Sequence, residues 1–121
     1  MIFDSGALIA VERGHPRMSA LLATAREPIY LPTPVLAQVW RNGRRQVLLS
    51  RFLRQTSLRL DAFDVDRAKL VGVLLGESAT SDVVDGAVVV CWQEHGGIVV
   101  TSDPGDLVAI DPAISSDIRP L

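Results

Sequence analysis

The chain is poor in cysteine and in aromatic side chains, and each shortage excludes a class of protein. Cys91 is the only cysteine among 121 residues, which excludes a disulfide within the chain and argues against a zinc site built on cysteines. Aromatic residues make up 5% of the chain, and the longest apolar runs, 87–92 and 98–100, are far shorter than the roughly 20 residues that cross a bilayer. We therefore expect a protein without disulfides or membrane spans.

The chain also has little net charge. The formal net charge is −2, so the chain as a whole has no electrostatic preference for nucleic acid or for a membrane surface. An acid, Asp4, stands where a secretory leader carries basic residues. Together with the single cysteine, this favours a cytoplasmic location. Any binding to a polyanion must then depend on how charge is distributed along the chain.

Hydrophobic residues are abundant, at 48% of the chain, which is typical of a globular protein. A chain of this length buries roughly two thirds of the surface of its unfolded form, enough for one core. No repeat, linker or low-complexity tract divides the sequence. We therefore expect a single domain over residues 1–121.

Short apolar runs alternate with helical patterns and predict the order of the elements. The predicted strands are 1–3, 29–31, 58–62, 98–101 and, as a short edge strand, 118–121. The predicted helices are 7–13, 16–22, 35–40, 44–55, 64–75, 81–95 and 103–109. Strands that alternate with helices indicate a three-layer α/β/α sandwich around a central, mainly parallel sheet.

Segment 81–95 fits two structures. Its three consecutive valines, 88–90, favour a strand by propensity. Its length and the acids Asp82 and Asp85 at its start favour a buried helix. We predict the helix because the segment is longer than an ordinary strand.

Acidic residues stand at the edges of the most hydrophobic segments. Asp4 and Asp103 each follow a predicted strand directly, Asp82 and Asp85 begin a helix, and Asp106 follows Asp103 by three residues. Ligands of parallel sheets bind beyond the carboxyl ends of the strands, where these acids would meet if the two strands are neighbours. Carboxylates about 5 Å apart repel by roughly 3 kcal/mol at an effective dielectric near 20, so such a cluster needs protons or a cation. Hard oxygen ligands without Cys or His favour Mg²⁺ or Mn²⁺.

Each acid, taken singly, also fits a structural role. Asp103 precedes Pro104, as an N-cap residue precedes the first residue of a helix, and Asp106 falls in the first turn. Asp82 and Asp85 have the same spacing. The sequence leaves both interpretations open, and they differ in whether the carboxylates converge or only cap helices.

Four segments in this order, FDSGALIA, VLAQVWR, TSDVVDGAVVV and GGIVVTSDPGDL, resemble the PIN-domain ribonucleases, and most closely the VapC toxins of bacterial toxin–antitoxin pairs. The resemblance runs from residue 1 to about residue 110. It implies a PIN-like fold and an endoribonuclease that depends on Mg²⁺ or Mn²⁺ and hydrolyses RNA phosphodiester bonds. It also implies a cognate antitoxin that neutralises the enzyme, and often a homodimer.

The resemblance also implies the site residues. The catalytic and metal-binding acids of the family fall on Asp4, Asp85 and Asp103, with Asp82 and Asp106 as further metal ligands. Ser5 and Thr101, each close to one of these acids, are expected to orient ligands or water as auxiliary residues.

One position departs from the family pattern. The second acid of the family is usually a Glu on the helix after the second strand, and Gln38 stands in its place. Gln38 keeps a carbonyl oxygen but loses a negative charge, which should lower metal affinity unless another acid replaces it. This leaves an alternative function open: a catalytically weakened PIN-fold module that binds a protein partner or RNA without efficient cleavage.

The basic residues are concentrated in one segment. No acid lies between Gln38 and Leu60, whereas half of all the basic residues do. On the predicted helix 44–55 several arginines would lie opposite an apolar side that includes Leu48. This side is either an ordinary solvated surface or a contact for RNA phosphates or for the antitoxin. The residues that we assign to RNA or partner contact are Arg41, Arg44, Arg45 and Arg51.

Overall fold

The computed structural model describes residues Met1–Leu121 and is built around one five-stranded sheet. In chain order the strands are β1 (Ile2–Phe3), β2 (Ile29–Pro32), β3 (Leu58–Asp61), β4 (Val99–Thr101) and β5 (Ile118–Pro120). Their order across the sheet is β3-β2-β1-β4-β5, and every neighbouring pair is parallel. The strand order reverses between β1 and β4. The carboxyl ends of these two strands therefore flank the crevice where an open parallel sheet binds its ligands.

Helices cover both faces of this sheet. They are α1 (Ser5–Glu12), α2 (Pro16–Thr24), α3 (Thr33–Val39), α4 (Val47–Phe52), α5 (Val65–Ser78), α6 (Val83–His95) and α7 (Pro104–Ile110), followed by a 3₁₀ helix (Pro112–Asp117). Helices α2, α3 and α4 pack on α1, and α5, α6 and α7 pack on one another. Right-handed crossovers put the first group on one face and the second on the other. The predicted PIN-like α/β/α sandwich is confirmed.

Helix α6 is the most buried helix. The valine-rich segment forms this helix, as its length predicts, because Asp82 caps its first turn and its residues from Gly86 to Cys91 are all buried. Burial on several sides outweighs the preference of valine for strands. A Cβ atom on Gly86 would lie 2.8 Å from Cγ1 of Val71, so a larger residue would push α5 away from α6.

Helix α4 is shorter than predicted. It covers Val47–Phe52 rather than 44–55, because the residues before it fold around the buried side chain of Gln46. Oε1 of Gln46 accepts hydrogen bonds from the backbone N–H of Arg41 at 2.8 Å and of Asn42 at 3.0 Å. Nε2 of Gln46 donates to the carbonyl of Val39 at 2.9 Å. The chain around 40–46 is therefore a closed loop and not a helix.

Two further boundaries differ from the prediction. Helix α5 continues past Gly76 to Ser78 and stops where Ala79 adopts a left-handed conformation, with φ of 56°. The 3₁₀ helix Pro112–Asp117 was not predicted. None of the helices has both the length and the apolar composition that are needed to cross a bilayer.

Candidate functional site

Asp4 is the most buried acid of the candidate site, with 4% of its surface exposed. It directly follows β1, and its Oδ1 accepts a 2.7 Å hydrogen bond from the backbone N–H of Ser5, as an N-cap does. Its Oδ2 accepts a 2.7 Å hydrogen bond from the hydroxyl of Thr101. Burial raises the pKa of Asp4, these two hydrogen bonds lower it, and the charges of Asp103 and Asp82 raise it further. Asp4 is thus held from two sides, within the field of other acids.

Thr101 connects Asp4 to Asp103. This fully buried residue ends β4, and its hydroxyl oxygen also accepts a 3.0 Å hydrogen bond from the backbone N–H of Asp103. The carboxylate of Asp103 caps no helix; its hydrogen-bond partner is the Ser102 hydroxyl, at 3.3 Å. The capping role that the sequence allowed for Asp103 is therefore not what the structure shows.

Asp82 and Asp85 occupy the start of α6 and behave differently. Asp82 is a cap, because its Oδ1 accepts a 3.0 Å hydrogen bond from the backbone N–H of Asp85. The carboxylate of Asp85 makes no such bond. Burial and the charges of Asp82, Asp4, Asp106 and Asp103, in that order, raise its pKa to about 7. Asp85 therefore lies in the field of the other four acids.

The five acids lie near the crevice, with Asp85 within the electrostatic reach of the other four. Asp82, Asp85 and Asp106 line an open cleft of about 360 Å³. No three of the five have ligand oxygens within 4.8 Å of one another. We refer to Asp4, Asp82, Asp85, Asp103 and Asp106 as the acidic cluster.

The chemistry of the acidic cluster fits a hard divalent cation. All its ligand atoms are carboxylate oxygens, the donors that Mg²⁺ and Mn²⁺ prefer. Burial and mutual repulsion make ionisation of Asp85 costly, and a bound cation would relieve both. The side chains present are thus of the type that such an ion prefers.

Gln38 lies beside the residue that follows Asp4. It is exposed on α3, and its Oε1 accepts a hydrogen bond from the hydroxyl of Ser5. The amide therefore stands at the margin of the acidic cluster, on the helix where the family places its second acid. The structure brings Ser5, Gln38 and Thr101 to the same region as the acids.

Gly6 allows the two halves of the site to approach each other. A Cβ atom at this position would lie 2.2 Å from the hydroxyl oxygen of Ser102 and 3.1 Å from its backbone nitrogen. The first turn of α1 therefore packs directly on the loop that follows β4. This contact keeps Asp4 and Asp103 on neighbouring segments.

The four arginines assigned to RNA or partner contact are exposed, and none forms an ion pair. The guanidinium of Arg41 donates to two backbone carbonyls, those of Ala37 at 3.1 Å and Trp40 at 2.6 Å. Arg44 and Arg45 lie in the loop before α4, not on the predicted helix. Their charges are therefore available to a polyanion or to an acidic partner.

Exposed apolar side chains stand among these arginines. The exposed fractions are 36% for Trp40, 55% for Val47 and 39% for Leu48. The predicted apolar side of this helix also included Leu49 and Phe52, and both are buried; Leu48, predicted on the same side, is exposed. The surface around 40–51 is thus both basic and apolar.

A second group of polar side chains, which the sequence analysis did not find, lies away from the acidic cluster. Asp61 ends β3, and its Oδ1 accepts a 2.9 Å hydrogen bond from Nη2 of Arg67, which also pairs with Glu94. Nε2 of His95 lies 4.0 Å from the same oxygen. The ligand atoms of Asp61, Cys91 and His95 all lie within 4.8 Å of one another. In the sequence, only the position of Asp61 at the end of a predicted strand pointed to this group. Cys91 and His95 lie about 30 residues further along the chain, so no local pattern connects them to Asp61.

Cys91 and His95 are held firmly in this second group. Cys91 is fully buried, and burial together with the Asp61 carboxylate raises the pKa of its thiol. The imidazole of His95 stacks on the ring of Tyr30, with the ring centroids 3.9 Å apart. A single cysteine thus has metal-ligating neighbours of two other types.

Comparison with known proteins identifies the fold. No family model matches the chain, and no curated protein matches it. A toxin–antitoxin complex from Klebsiella pneumoniae is similar in structure, with a TM-score of 0.71 and 15% identity over 98% of this chain and 94% of that chain. VapC20 of Mycobacterium tuberculosis, a toxin that cleaves the sarcin–ricin loop, has a TM-score of 0.61 and 17% identity over 79% and 84%. FitAcB of Neisseria gonorrhoeae has a TM-score of 0.64 and 22% identity over 91% and 92%. These likenesses confirm the fold of VapC-type PIN toxins.

Proposed function

We propose that this chain is a metal-dependent endoribonuclease, a VapC-type toxin that hydrolyses RNA phosphodiester bonds. The observation that supports the proposal is the position of Asp4 and Asp103 after the neighbouring strands β1 and β4, together with the charges of the other four acids that act on Asp85. The structural likeness to VapC20, a toxin that cleaves the sarcin–ricin loop, supports RNA as the substrate.

The acidic cluster supplies the metal ligands in this proposal. Asp4, Asp85 and Asp103 would hold Mg²⁺ or Mn²⁺, with Asp82 and Asp106 as further ligands. When bound, the ion supplies an activated water and stabilises negative charge on the phosphate.

Residues of the chain position the metal ligands and bind the substrate. The N–H of Ser5 and the hydroxyl of Thr101 hold both oxygens of Asp4 in fixed directions, so that this carboxylate needs no rearrangement to act. Asp85 must lose the proton that its raised pKa lets it keep near neutral pH before it can serve as a ligand. Arg41, Arg44, Arg45 and Arg51 would contact RNA phosphates on either side of the cleavage site, or an antitoxin.

Partners and location belong to the same proposal. The similar structures include toxin–antitoxin complexes, which supports a cognate antitoxin for this chain. The family resemblance adds a homodimer, and the single cysteine supports a cytoplasmic location.

Incubation of the purified protein with total RNA tests the proposal. We expect cleavage with Mg²⁺ or Mn²⁺ and none with EDTA. Cleavage that persists in EDTA, or that survives the substitution Asp4→Asn, would contradict it.

One observation favours a second candidate function. Gln38 hydrogen-bonds Ser5 at the place where the family carries a Glu, so the site has one acid fewer than the family pattern. Such a protein would bind RNA or a protein partner without efficient cleavage. A silent wild type together with a Gln38→Glu variant that cleaves RNA would favour this candidate.

A further inference from the structure

We propose that Asp61, Cys91 and His95 form a second metal site, which binds a borderline-soft divalent ion of the Zn²⁺ type. Their ligand atoms are an oxygen, a sulfur and a nitrogen, all within 4.8 Å of one another. Mixed ligands of this kind suit Zn²⁺ and Co²⁺ and are poor ligands for Mg²⁺. The single cysteine argues only against a zinc site built on several cysteines, and a site with mixed ligands is compatible with that argument.

The site is separate from the acidic cluster, although both involve α6. Cys91 and His95 are four residues apart and share one side of the helix near its end, whereas Asp85 lies in its first turn. At a rise of 1.5 Å per residue, Asp85 and His95 are about 15 Å apart along the helix axis. Asp61 reaches the site from the end of β3.

To hold a zinc ion, the ligand atoms must move closer to one another, by up to about 1.5 Å. Metal–ligand bonds of about 2.0 to 2.3 Å in a tetrahedron place the ligand atoms roughly 3.3 to 3.6 Å apart. Nε2 of His95 lies 4.0 Å from Oδ1 of Asp61, and 25% of the His95 side chain is exposed. Because this side chain is partly exposed, an ion can reach the site from solvent. A water molecule would then be the fourth ligand.

The charges around the site favour a divalent cation. Arg67 pairs with two carboxylates, those of Asp61 and Glu94, so these three groups have a net charge of −1. With the thiolate of Cys91 and a doubly charged ion, the sum becomes zero. Arg67 donates to the carboxylate of Asp61, as outer partners do at metal-ligating carboxylates.

Metal binding is a ligand exchange without oxidation or reduction. The Sγ–H bond of Cys91 breaks, an Sγ–metal bond forms, and the proton passes to solvent. The ion would join the edge strand β3 to α6 and stabilise the folded chain, since no such site exists in the unfolded state.

Titration of the full chain with Co²⁺, with excess Mg²⁺ present to occupy the acidic cluster, tests the proposal. We expect a thiolate-to-cobalt absorption band in the near ultraviolet and strong visible bands of four-coordinate Co²⁺, both abolished by Zn²⁺. The substitution Cys91→Ser should remove the near-ultraviolet band. The substitution His95→Gln should weaken Co²⁺ binding at least tenfold, roughly the loss known for perturbed metal sites.

Two control variants make the experiment specific. His15→Gln removes the other histidine, which caps α2 and is exposed, and Asp85→Asn alters only the acidic cluster. Both should leave the cobalt spectrum unchanged. The proposal would be overturned if the wild-type spectrum lacked the thiolate band. It would also be overturned if neither His95→Gln nor Cys91→Ser changed the spectrum. If buried Cys91→Ser fails to fold, the partly exposed His95→Gln decides alone, and neither result bears on Mg²⁺-dependent RNA cleavage.

Discussion

Thr101 donates a 2.7 Å hydrogen bond to Oδ2 of Asp4, a residue 97 positions away in the sequence. The same hydroxyl oxygen accepts a 3.0 Å hydrogen bond from the backbone N–H of Asp103. Phe3 pairs with Val100 in parallel strands, so Asp4 and Thr101, which follow them, lie at the same level of the sheet. One buried hydroxyl therefore orients an acid from each of two neighbouring strands.

We expect Thr101→Val to uncouple these two acids. The variant keeps the shape of the side chain but leaves Oδ2 of Asp4 and the N–H of Asp103 without a partner, which should lower the free energy of unfolding by about 1 to 3 kcal/mol. Cleavage of RNA at limiting Mg²⁺ should fall by roughly 10- to 100-fold. Thr101→Ser keeps the hydroxyl and serves as the control in urea unfolding and in Mg²⁺ titrations of activity. Equal behaviour of the two variants would show that the hydroxyl has no such role.

Asp4→Asn should abolish RNA cleavage and leave the fold intact. The amide can still accept from the N–H of Ser5, and the neutral side chain suits a position where burial already raises the pKa. Circular dichroism and thermal unfolding would check the fold, and a total-RNA assay would check activity. Asp66→Asn, an exposed acid on α5, makes the same change of charge outside the site and should cleave normally.

Stability of the metal-free protein should depend on the protonation of Asp85. Its pKa is raised from 3.8 to about 7 in the folded state, so between these values the folded chain binds more protons than the unfolded chain. Stability must then fall as the pH rises from about 4 to 7 and level off above. In EDTA, Asp85→Asn should stabilise the protein at pH 8 by on the order of 1 kcal/mol, after allowance for solvent screening, and by much less at pH 4. Urea unfolding at the two pH values measures this; an equal effect at both would contradict the raised pKa.

Gln38→Glu should restore a negative charge at the margin of the acidic cluster. If the wild type is a toxin of full activity, the variant should reach half-maximal cleavage at a Mg²⁺ concentration lower by roughly fivefold, equivalent to about 1 kcal/mol. If the wild type is the weakened binding module, only the variant should cleave. Gln55→Glu makes the same change at an exposed position after α4 and is the control.

Arg44→Gln should reduce the salt dependence of RNA binding if this residue contacts a phosphate. The slope of log K against log salt concentration should become less steep by about 0.7 for single-stranded RNA. Binding would be measured in the Asp4→Asn background, so that the RNA remains intact. Arg26→Gln removes an exposed arginine outside the segment 40–51 and should leave the slope unchanged.

The fold was predictable because its signals are local. The apolar run 98–100 next to Thr101 indicates a buried strand, and the length of segment 83–95 outweighs its valines. Acids that directly follow strands indicated the crevice, since parallel strands end at one edge of a sheet. These rules place Asp4 and Asp103 at one edge of the sheet, but the pairing of β1 with β4 that brings them together is seen only in the structure.

The remainder depends on contacts that no local pattern shows. The loop before α4 exists because the side chain of Gln46 is buried against Val39 and Glu12, and an isolated glutamine gives no sign of this. Asp61 acquires Cys91 and His95 as neighbours only because α6 packs on β1 and β2, and β2 pairs with β3. In both cases the tertiary structure determines the role of the residue.

A methyl group at position 6 would overlap the side chain of Ser102, so any larger residue would displace the loop that follows β4. Gly6 carries no functional group, yet it sets the clearance between the segments that bear Asp4 and Asp103. Cells that survive expression of the toxin proposed here should carry substitutions at this residue as well as at the acids. A list of positions essential for toxicity would then include one whose side chain takes no part in the chemistry.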